Sequence, residues 1–153
     1  MMNRASKVIV RLQGKTLATA ESCTGGGIGQ VLTSVPGASN VYKGGVISYC
    51  NEIKHKLFGV PIGTLAEFGA VSAPVAEAMA EGARRALETD IAVSVTGLAG
   101  PSGDDYGNLV GTVYIGYADG KNVISRHFLF SGDRDAVRKQ AVEAALEMIL
   151  ENV

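Results

Sequence analysis

The placement of glycine constrains this chain more than any other feature of its sequence. The 153 residues include 20 glycines, about 13% where roughly 7% is usual. They concentrate in Gly/Ser/Thr-rich segments, of which residues 21–27 and 96–103 directly follow apolar stretches with the character of buried strands. Ligands of open α/β sheets bind outside the carboxyl ends of parallel strands. We therefore expect the chemistry of this chain where such segments meet at strand ends.

Composition excludes several classes of protein. Apolar residues make up 46% and charged residues 19%, which predicts one domain of ordinary size over residues 1–153. Fourteen basic and fifteen acidic residues without a Lys/Arg run argue against a nucleic-acid partner. No apolar stretch approaches the ~20 residues of a membrane helix. With two cysteines and no leader pattern, we expect a cytoplasmic protein, and its few surface charges favour a homo-oligomer.

Alternating helix and strand patterns predict the architecture. Strand patterns occupy residues 17–20, 41–49, 91–95, 109–118 and 122–130. Helical patterns occupy residues 5–12, the region around 28–32, 51–57 with Asn51 as N-cap, 72–89 with Ser72 as N-cap, and the region from about 133 onward. Asp119-Gly120 predicts a hairpin between the last two strands. This order is typical of a three-layer α/β/α sandwich on a mixed, mostly parallel sheet with an antiparallel hairpin.

Several familiar catalytic motifs are absent from the sequence. A phosphate-binding loop ending at Gly14 would need a glycine where Ile9 stands. The Gly-x-Ser-x-Gly elbow is missing around Ser22. No His/Cys/Asp cluster has the spacing of metal ligands, and a Ser-His dyad is disfavoured because His127 lies within a predicted strand. We expect no metal and no cofactor.

Ser22 lies at the end of a predicted strand, directly before a predicted helix start with three consecutive glycines. The N–H groups of Cys23, Thr24 and Gly25 at such a helix start are suited to hold an oxyanion or a phosphate. A serine in this position also commonly caps the helix. Local sequence leaves both roles open.

A tyrosine and a lysine follow at the end of the next strand. Where histidine is lacking, a lysine whose cation is destabilised by burial can accept a proton near neutral pH, directly or through a tyrosine hydroxyl. Tyr49 and Lys54 fit this pattern. Taken singly, Tyr49 is equally explained as a half-buried strand residue and Lys54 as a solvated side chain.

Six segments, taken together and in chain order, resemble the CinA C-terminal-like family, which includes nicotinamide-nucleotide amidases. They are AESCTGG (20–26), GVISYCNEIK (45–54), GAVS (69–72), TGLAGP (96–101), VGTV (110–113) and FSGDR (130–134). The resemblance extends from about Leu17 over nearly the whole chain. No single segment is specific for this family, but the occurrence of all six in this order is.

This resemblance implies a hydrolase that converts nicotinamide mononucleotide to nicotinic acid mononucleotide and ammonia. Ser22 matches the family's nucleophile, Tyr49 the tyrosine beside it and Lys54 the lysine that completes the set. Candidate substrate-binding residues in the matching and adjacent positions are Glu21, Cys23, Thr24, Gly25, Gly26, Asn51, Thr96, Gly97 and Gly100. Arg134 or Arg138 is expected to meet the substrate phosphate, although both equally fit a solvated helix face.

Two other functions stay open: a nucleotide-binding module without turnover, and an amidase for another small carboxamide. Residues 102–109 lack the Gly/Thr run and Lys-Pro pair that many relatives carry, so the substrate is the least certain part of the implied function. We find no counterpart of the N-terminal domain of full-length relatives and expect none of its activities. A Cys23 nucleophile and a Cys23–Cys50 disulfide are both disfavoured, because a cytosolic thiol in this setting is usually packing material.

Overall fold

A computed structural model describes residues 2–153, and in this range five strands form one mixed sheet. The strands are β1 (Leu17–Glu21), β2 (Tyr42–Ile47), β3 (Ile91–Gly97), β4 (Thr112–Ala118) and β5 (Val123–Leu129), in the order β2-β1-β3-β4-β5. The first three are parallel, whereas β4 pairs antiparallel with β3, and β5 with β4. The predicted mixed sheet and its C-terminal hairpin are confirmed.

Six α-helices accompany the sheet within the described range. They are α1 (Arg4–Arg11), α2 (Gly27–Thr33), α3 (Asn51–Phe58), α4 (Ile62–Phe68), α5 (Ala73–Ala86) and α6 (Arg134–Asn152). Among these helices, none combines the length and the apolar composition that crossing a membrane requires.

The helices cover both faces of the sheet, because strand side chains alternate between two cores. Val93 and Val95 of β3 belong to the core under α1, α2 and α6. Ala92, which directly precedes Val93 and faces the opposite side of the sheet, belongs to the core under α3, α4 and α5. The three-layer α/β/α sandwich predicted from the helix and strand order is therefore confirmed.

Small residues let α5 approach its neighbours closely. A Cβ at Gly116 of β4 would lie 2.3 Å from the Ala76 carbonyl oxygen of α5, and one at Gly82 would lie 2.0 Å from the Phe58 carbonyl oxygen of α3. Both positions exclude any larger residue, since the obstructing atoms belong to the backbone. This packing fixes α3, which carries Lys54, against the rest of the fold.

Several local predictions need correction. Helix α2 begins at Gly27 rather than directly after Ser22. The N-cap of α3 is Cys50, so Asn51 is its first helical residue. Ser72 is at the N-cap of α5, but its hydroxyl donates to the Gly69 carbonyl at 2.9 Å instead of capping the helix.

Strand β4 and helix α4 also differ from prediction. Strand β4 starts only at Thr112, because Gly111 has a φ of +96° and leaves the extended conformation. Helix α4 was not predicted, since its seven residues are too few to display a clear helical periodicity.

Candidate active site

The carboxyl ends of β1 and β3, and the residues that follow β2, surround a cavity of about 440 Å³. This volume lies within the roughly 300–1,000 Å³ typical of small-molecule sites. Its lining residues are Ser22, Cys23, Tyr49, Asn51, Lys54, Ala70, Val71, Thr96, Gly97, Leu98, Ala99, Gly100, Pro101, Ser102 and Arg134. Glycine-rich segments thus meet at strand ends, as their positions in the sequence predict.

Ser22 leaves β1 in register with the sheet and starts a tight turn. Its N–H donates to the Val95 carbonyl of β3 at 3.1 Å, and its own carbonyl accepts from the Gly25 N–H at 3.1 Å. Gly25 and Gly26 follow with φ values of +58° and +100°, a backbone conformation that glycine adopts without strain. We call residues 22–26 the Ser22 turn. In this turn Ser22 is buried as a residue but still lines the cavity.

Lys54 reaches Ser22 from the first turn of α3. Its side chain is only 1% exposed, and its Nζ lies 3.0 Å from Ser22 Oγ. The amine also donates to the Ser48 carbonyl at 2.7 Å. Neither of these two contacts is with a carboxylate that would balance the positive charge of the ammonium. Burial therefore lowers the pKa of Lys54 from 10.5 to about 8. About a tenth of the molecules therefore hold a neutral amine at pH 7.

A neutral amine at this distance can accept a proton from the serine hydroxyl. The geometry satisfies the roughly 2.6–3.2 Å required of a nucleophile and its base. A pKa near the working pH is also the value at which proton transfer is most effective. The geometry of Ser22 and Lys54 thus suits a nucleophile and its base, with no histidine needed.

Tyr49 and Arg134 stand at the mouth of the same cavity. Tyr49 is 62% exposed, and its hydroxyl accepts from Arg134 Nη2 at 3.0 Å. Arg134, the first residue of α6, also donates to the Gly100 carbonyl. Across the part of the chain that the structure describes, the Tyr49 hydroxyl makes no hydrogen bond with Ser22 or Lys54. Two cationic side chains, Lys54 and Arg134, therefore line a cavity whose described lining contains no carboxylate.

The structure brings nine of the residues predicted for the site to the cavity. They are Ser22, Cys23, Tyr49, Asn51, Lys54, Thr96, Gly97, Gly100 and Arg134. Five others, Glu21, Thr24, Gly25, Gly26 and Arg138, lie outside its lining.

Glu21 and Arg138 contact the Ser22 turn instead of the cavity. The Glu21 carboxylate is 2% exposed and accepts from the Ile28 and Gly29 N–H groups at 2.8 and 3.0 Å. The Glu21 carboxylate thus occupies the start of α2, whereas the N–H groups of residues 23–25, which we expected to hold an anion, lie before this helix, in the Ser22 turn. Arg138 of α6 donates to the Cys23 and Thr24 carbonyls at 3.1 and 3.4 Å.

One wall of the cavity was missed at the sequence level. Its residues are Ala70, Val71, Leu98, Ala99, Pro101 and Ser102. The Thr96 hydroxyl joins the two segments of this wall by donating to the Ala70 carbonyl at 2.8 Å. All of these residues except Ser102 fall in the GAVS and TGLAGP motifs, so their place in the motifs could have indicated that they line the site.

Among residues 2–153, no three His, Cys, Asp or Glu side chains are grouped as metal ligands would be.

The two cysteines are free thiols. Cys23 is buried beside Ser22, and burial raises the pKa of its thiol to about 11. The thiolate needed for nucleophilic attack is therefore disfavoured at neutral pH. Cys50 is exposed at the start of α3. The expectation that the cysteines form no disulfide agrees with the structure.

Fold and site together define an α/β protein with a serine and a buried lysine in hydrogen-bond contact at the carboxyl edge of its sheet. The model of the CinA C-terminal domain matches residues 2–153. The chain belongs to this family, as the motifs indicate.

Individual relatives agree with this assignment. The nicotinamide-nucleotide amidohydrolase PncC of Escherichia coli K12 is 45% identical over 141 residues, which cover 92% of this chain and 86% of the relative. A CinA-like protein of Geobacter sulfurreducens is 47% identical over 92% of this chain, but the chain spans only about a third (34%) of that relative. The crystal structure of a competence-damaged protein (CinA) superfamily protein from E. coli superposes with a TM-score of 0.96 at 31% identity, covering 99% of this chain and 89% of the other.

Proposed function

We propose that this chain hydrolyses the carboxamide of nicotinamide mononucleotide to give nicotinic acid mononucleotide and ammonia. The observation that carries the proposal is the 3.0 Å contact between Lys54 Nζ and Ser22 Oγ in a cavity with cationic lining. Such a cavity suits a substrate that combines an amide with a phosphate. The E. coli relative PncC, a nicotinamide-nucleotide amidohydrolase of which this chain covers 86%, supports the same substrate.

The reaction proceeds in two halves. Neutral Lys54 takes the hydroxyl proton as Ser22 Oγ forms a bond to the carboxamide carbon, and the C=O electrons move onto oxygen. Collapse of this intermediate breaks the C–N bond, and the Lys54 ammonium returns the proton to the leaving nitrogen, so that ammonia departs. Lys54 then deprotonates a water, which cleaves the Ser22 ester to release the acid and restore the serine hydroxyl.

The developing oxyanion needs N–H donors close to Ser22. The N–H groups of Cys23 and Thr24 are the donors of this proposal, because the Gly25 N–H already donates to the Ser22 carbonyl. The Gly25 N–H, which the sequence also suggested as a donor, therefore takes no part in holding the oxyanion.

Arg134 is the proposed ligand of the substrate phosphate. It lines the cavity, whereas Arg138 does not. A guanidinium has five N–H donors, so the contacts with Gly100 and Tyr49 leave Arg134 others for phosphate oxygens. Tyr49 lies beside this arginine, and its part in the proton transfer stays a prediction.

We place the reaction in the cytoplasm. The two free thiols are compatible with that reducing compartment.

Incubation with nicotinamide mononucleotide, with ammonia and nicotinic acid mononucleotide measured together, tests the proposal. The native chain should release both in equal amounts. Ser22→Ala should lose at least about 1,000-fold in kcat, as expected for a lost nucleophile. Ser39→Ala, an exposed serine distant in sequence from the site, should retain full activity.

The other outcomes identify the alternatives. Normal turnover by folded Ser22→Ala would refute the assignment of the nucleophile. Tight binding of the mononucleotide without ammonia would indicate a nucleotide-binding module. Neither binding nor turnover would indicate an amidase for another small carboxamide.

A further inference from the structure

The backbone carbonyls of Ser22, Cys23 and Thr24, the first three residues of the Ser22 turn, all accept hydrogen bonds. The Ser22 carbonyl accepts from the Gly25 N–H, and the Thr24 carbonyl from the Gly27 N–H at 3.0 Å. The Cys23 carbonyl accepts from Arg138 Nε at 3.1 Å. These three bonds restrict rotation of the peptide planes next to Ser22, and the position of the serine side chain depends on those planes.

Glu21, the last residue of β1, connects the same turn to the start of α2 through its side chain. One carboxylate oxygen accepts from the Thr24 hydroxyl at 2.7 Å and from the Ile28 N–H at 2.8 Å. The other accepts from the Gly29 N–H at 3.0 Å. A single buried side chain therefore ties the middle of the turn to the helix that follows it. The N-cap residue of α2, Gly26, has no side chain to do so.

Arg138 holds the turn from a distant part of the chain. It lies one helical turn after Arg134 on α6, so both arginines leave the helix on the same side. Arg134 contacts the cavity mouth, whereas Arg138 contacts the carbonyls of Cys23 and Thr24. Its ion pair with Asp135 is long, at 3.7 Å, and Asp135 is 78% exposed. The carbonyl contacts are thus its better-defined interactions.

We infer that Glu21 and Arg138 are positioning residues, which hold the Ser22 turn in the orientation that nucleophilic attack requires without touching the substrate. The inference rests on the proposed function in that Ser22 is taken as the nucleophile. It departs from the role in substrate binding that the sequence motifs suggested for both residues.

Four variants test this inference. Glu21→Gln keeps the shape of the side chain, but its NH₂ group must face either the Ile28 or the Gly29 N–H, so one donor loses its acceptor. Arg138→Met removes both carbonyl contacts, whereas Arg138→Lys keeps one charged donor. Asp135→Asn is the matched control, because it removes the ion pair of Arg138 and leaves the carbonyl contacts in place.

Steady-state kinetics with nicotinamide mononucleotide provide the first readout. Glu21→Gln and Arg138→Met should lower kcat at least about 10-fold, since small displacements of a reacting group cost up to about 100-fold. KM should stay within about threefold, and the pH midpoint of the rate should not move, because Lys54 is untouched. Arg138→Lys should recover part of the rate, and Asp135→Asn should match the native chain.

Amide hydrogen exchange of the full chain provides a second readout, which does not depend on the substrate. Exchange at Gly25 and Gly27 should accelerate at least about 10-fold in Arg138→Met, and that at Ile28 and Gly29 in Glu21→Gln, while β4 stays protected. If the native chain leaves nicotinamide mononucleotide intact, the proposed function fails, and accelerated exchange still supports the inference. Unchanged exchange in both variants, or a rise in KM at constant kcat, would overturn it.

Discussion

Replacing Lys54 by methionine should abolish hydrolysis and, at neutral pH, stabilise the fold. In the folded chain the pKa of Lys54 falls from 10.5 to about 8 because the cation is buried. This difference corresponds to about 3 kcal/mol of unfavourable free energy for the charged form. Methionine has similar length and carries no charge. It loses the hydrogen bonds to Ser22 Oγ and the Ser48 carbonyl, which contribute roughly 1 kcal/mol each.

The difference in the free energy of unfolding between Lys54→Met and the native chain should change with pH in one direction. Below pH 8 the amine is protonated in the folded and the unfolded chain, and the fold carries the whole cost of burial. Between pH 8 and 10.5 the folded chain has released the proton while the unfolded chain still holds it, so native stability rises with pH. We expect Lys54→Met to be about 1 kcal/mol more stable than the native chain at pH 7. By pH 9.5 this order should be reversed, because the native chain recovers about 2 kcal/mol.

Urea unfolding of both proteins between pH 6.5 and 9.5 measures the effect. Every other titrating group is common to the two chains, so the difference in the free energy of unfolding isolates Lys54. In parallel, kcat/KM of the native chain should rise about 10-fold per pH unit below pH 8 and level off above it. A stability difference that does not change with pH would refute the buried amine, and full activity of Lys54→Met would refute its role as base.

The remaining predictions concern other parts of the molecule. Arg134→Met should raise KM for nicotinamide mononucleotide at least about 10-fold, while turnover of the riboside, which lacks the phosphate, should change little; equal effects on both compounds would contradict the phosphate contact. Gly82→Ala should lower the free energy of unfolding by about 1–3 kcal/mol, because its Cβ meets the backbone of α3. Gly63→Ala in α4, where the Cβ meets no atom within 4 Å, should raise it by up to about 1 kcal/mol, and urea titrations compare the two. Iodoacetamide at pH 8 should modify exposed Cys50 quickly and buried Cys23 only after unfolding, as mass spectrometry can follow; fast labelling of Cys23 in the native chain would contradict its burial.

Features that depend on short stretches of sequence were predictable. The Asp119-Gly120 hairpin follows from turn chemistry, and Asp133 caps α6 by accepting from the Ala136 N–H at 2.9 Å. The buried strand Ile91–Gly97 follows from its continuous apolar run. In each case the residues that determine the structure are neighbours in the chain.

Features that depend on packing between distant segments were not predictable. The sequence around Lys54, NEIKHKLF, is that of a solvated helix, and its burial results from the position of α3 over the strand ends. Glu21 and Arg138 were assigned to the substrate because one precedes the serine and the other is cationic. Only the folded chain places them against the Ser22 turn.

Arg138 of α6 also makes the site depend on a contact between residues far apart in the chain. Arg138 lies 115 residues along the chain from the carbonyl it holds at Cys23, so this contact closes one of the longest loops in the molecule. Until α6 docks, the Cys23 carbonyl lacks this contact and the Ser22 turn lacks one of its supports. During refolding, recovery of hydrolysis should therefore require the docking of α6, and a comparison with the recovery of far-ultraviolet circular dichroism would measure whether the site and the secondary structure form together.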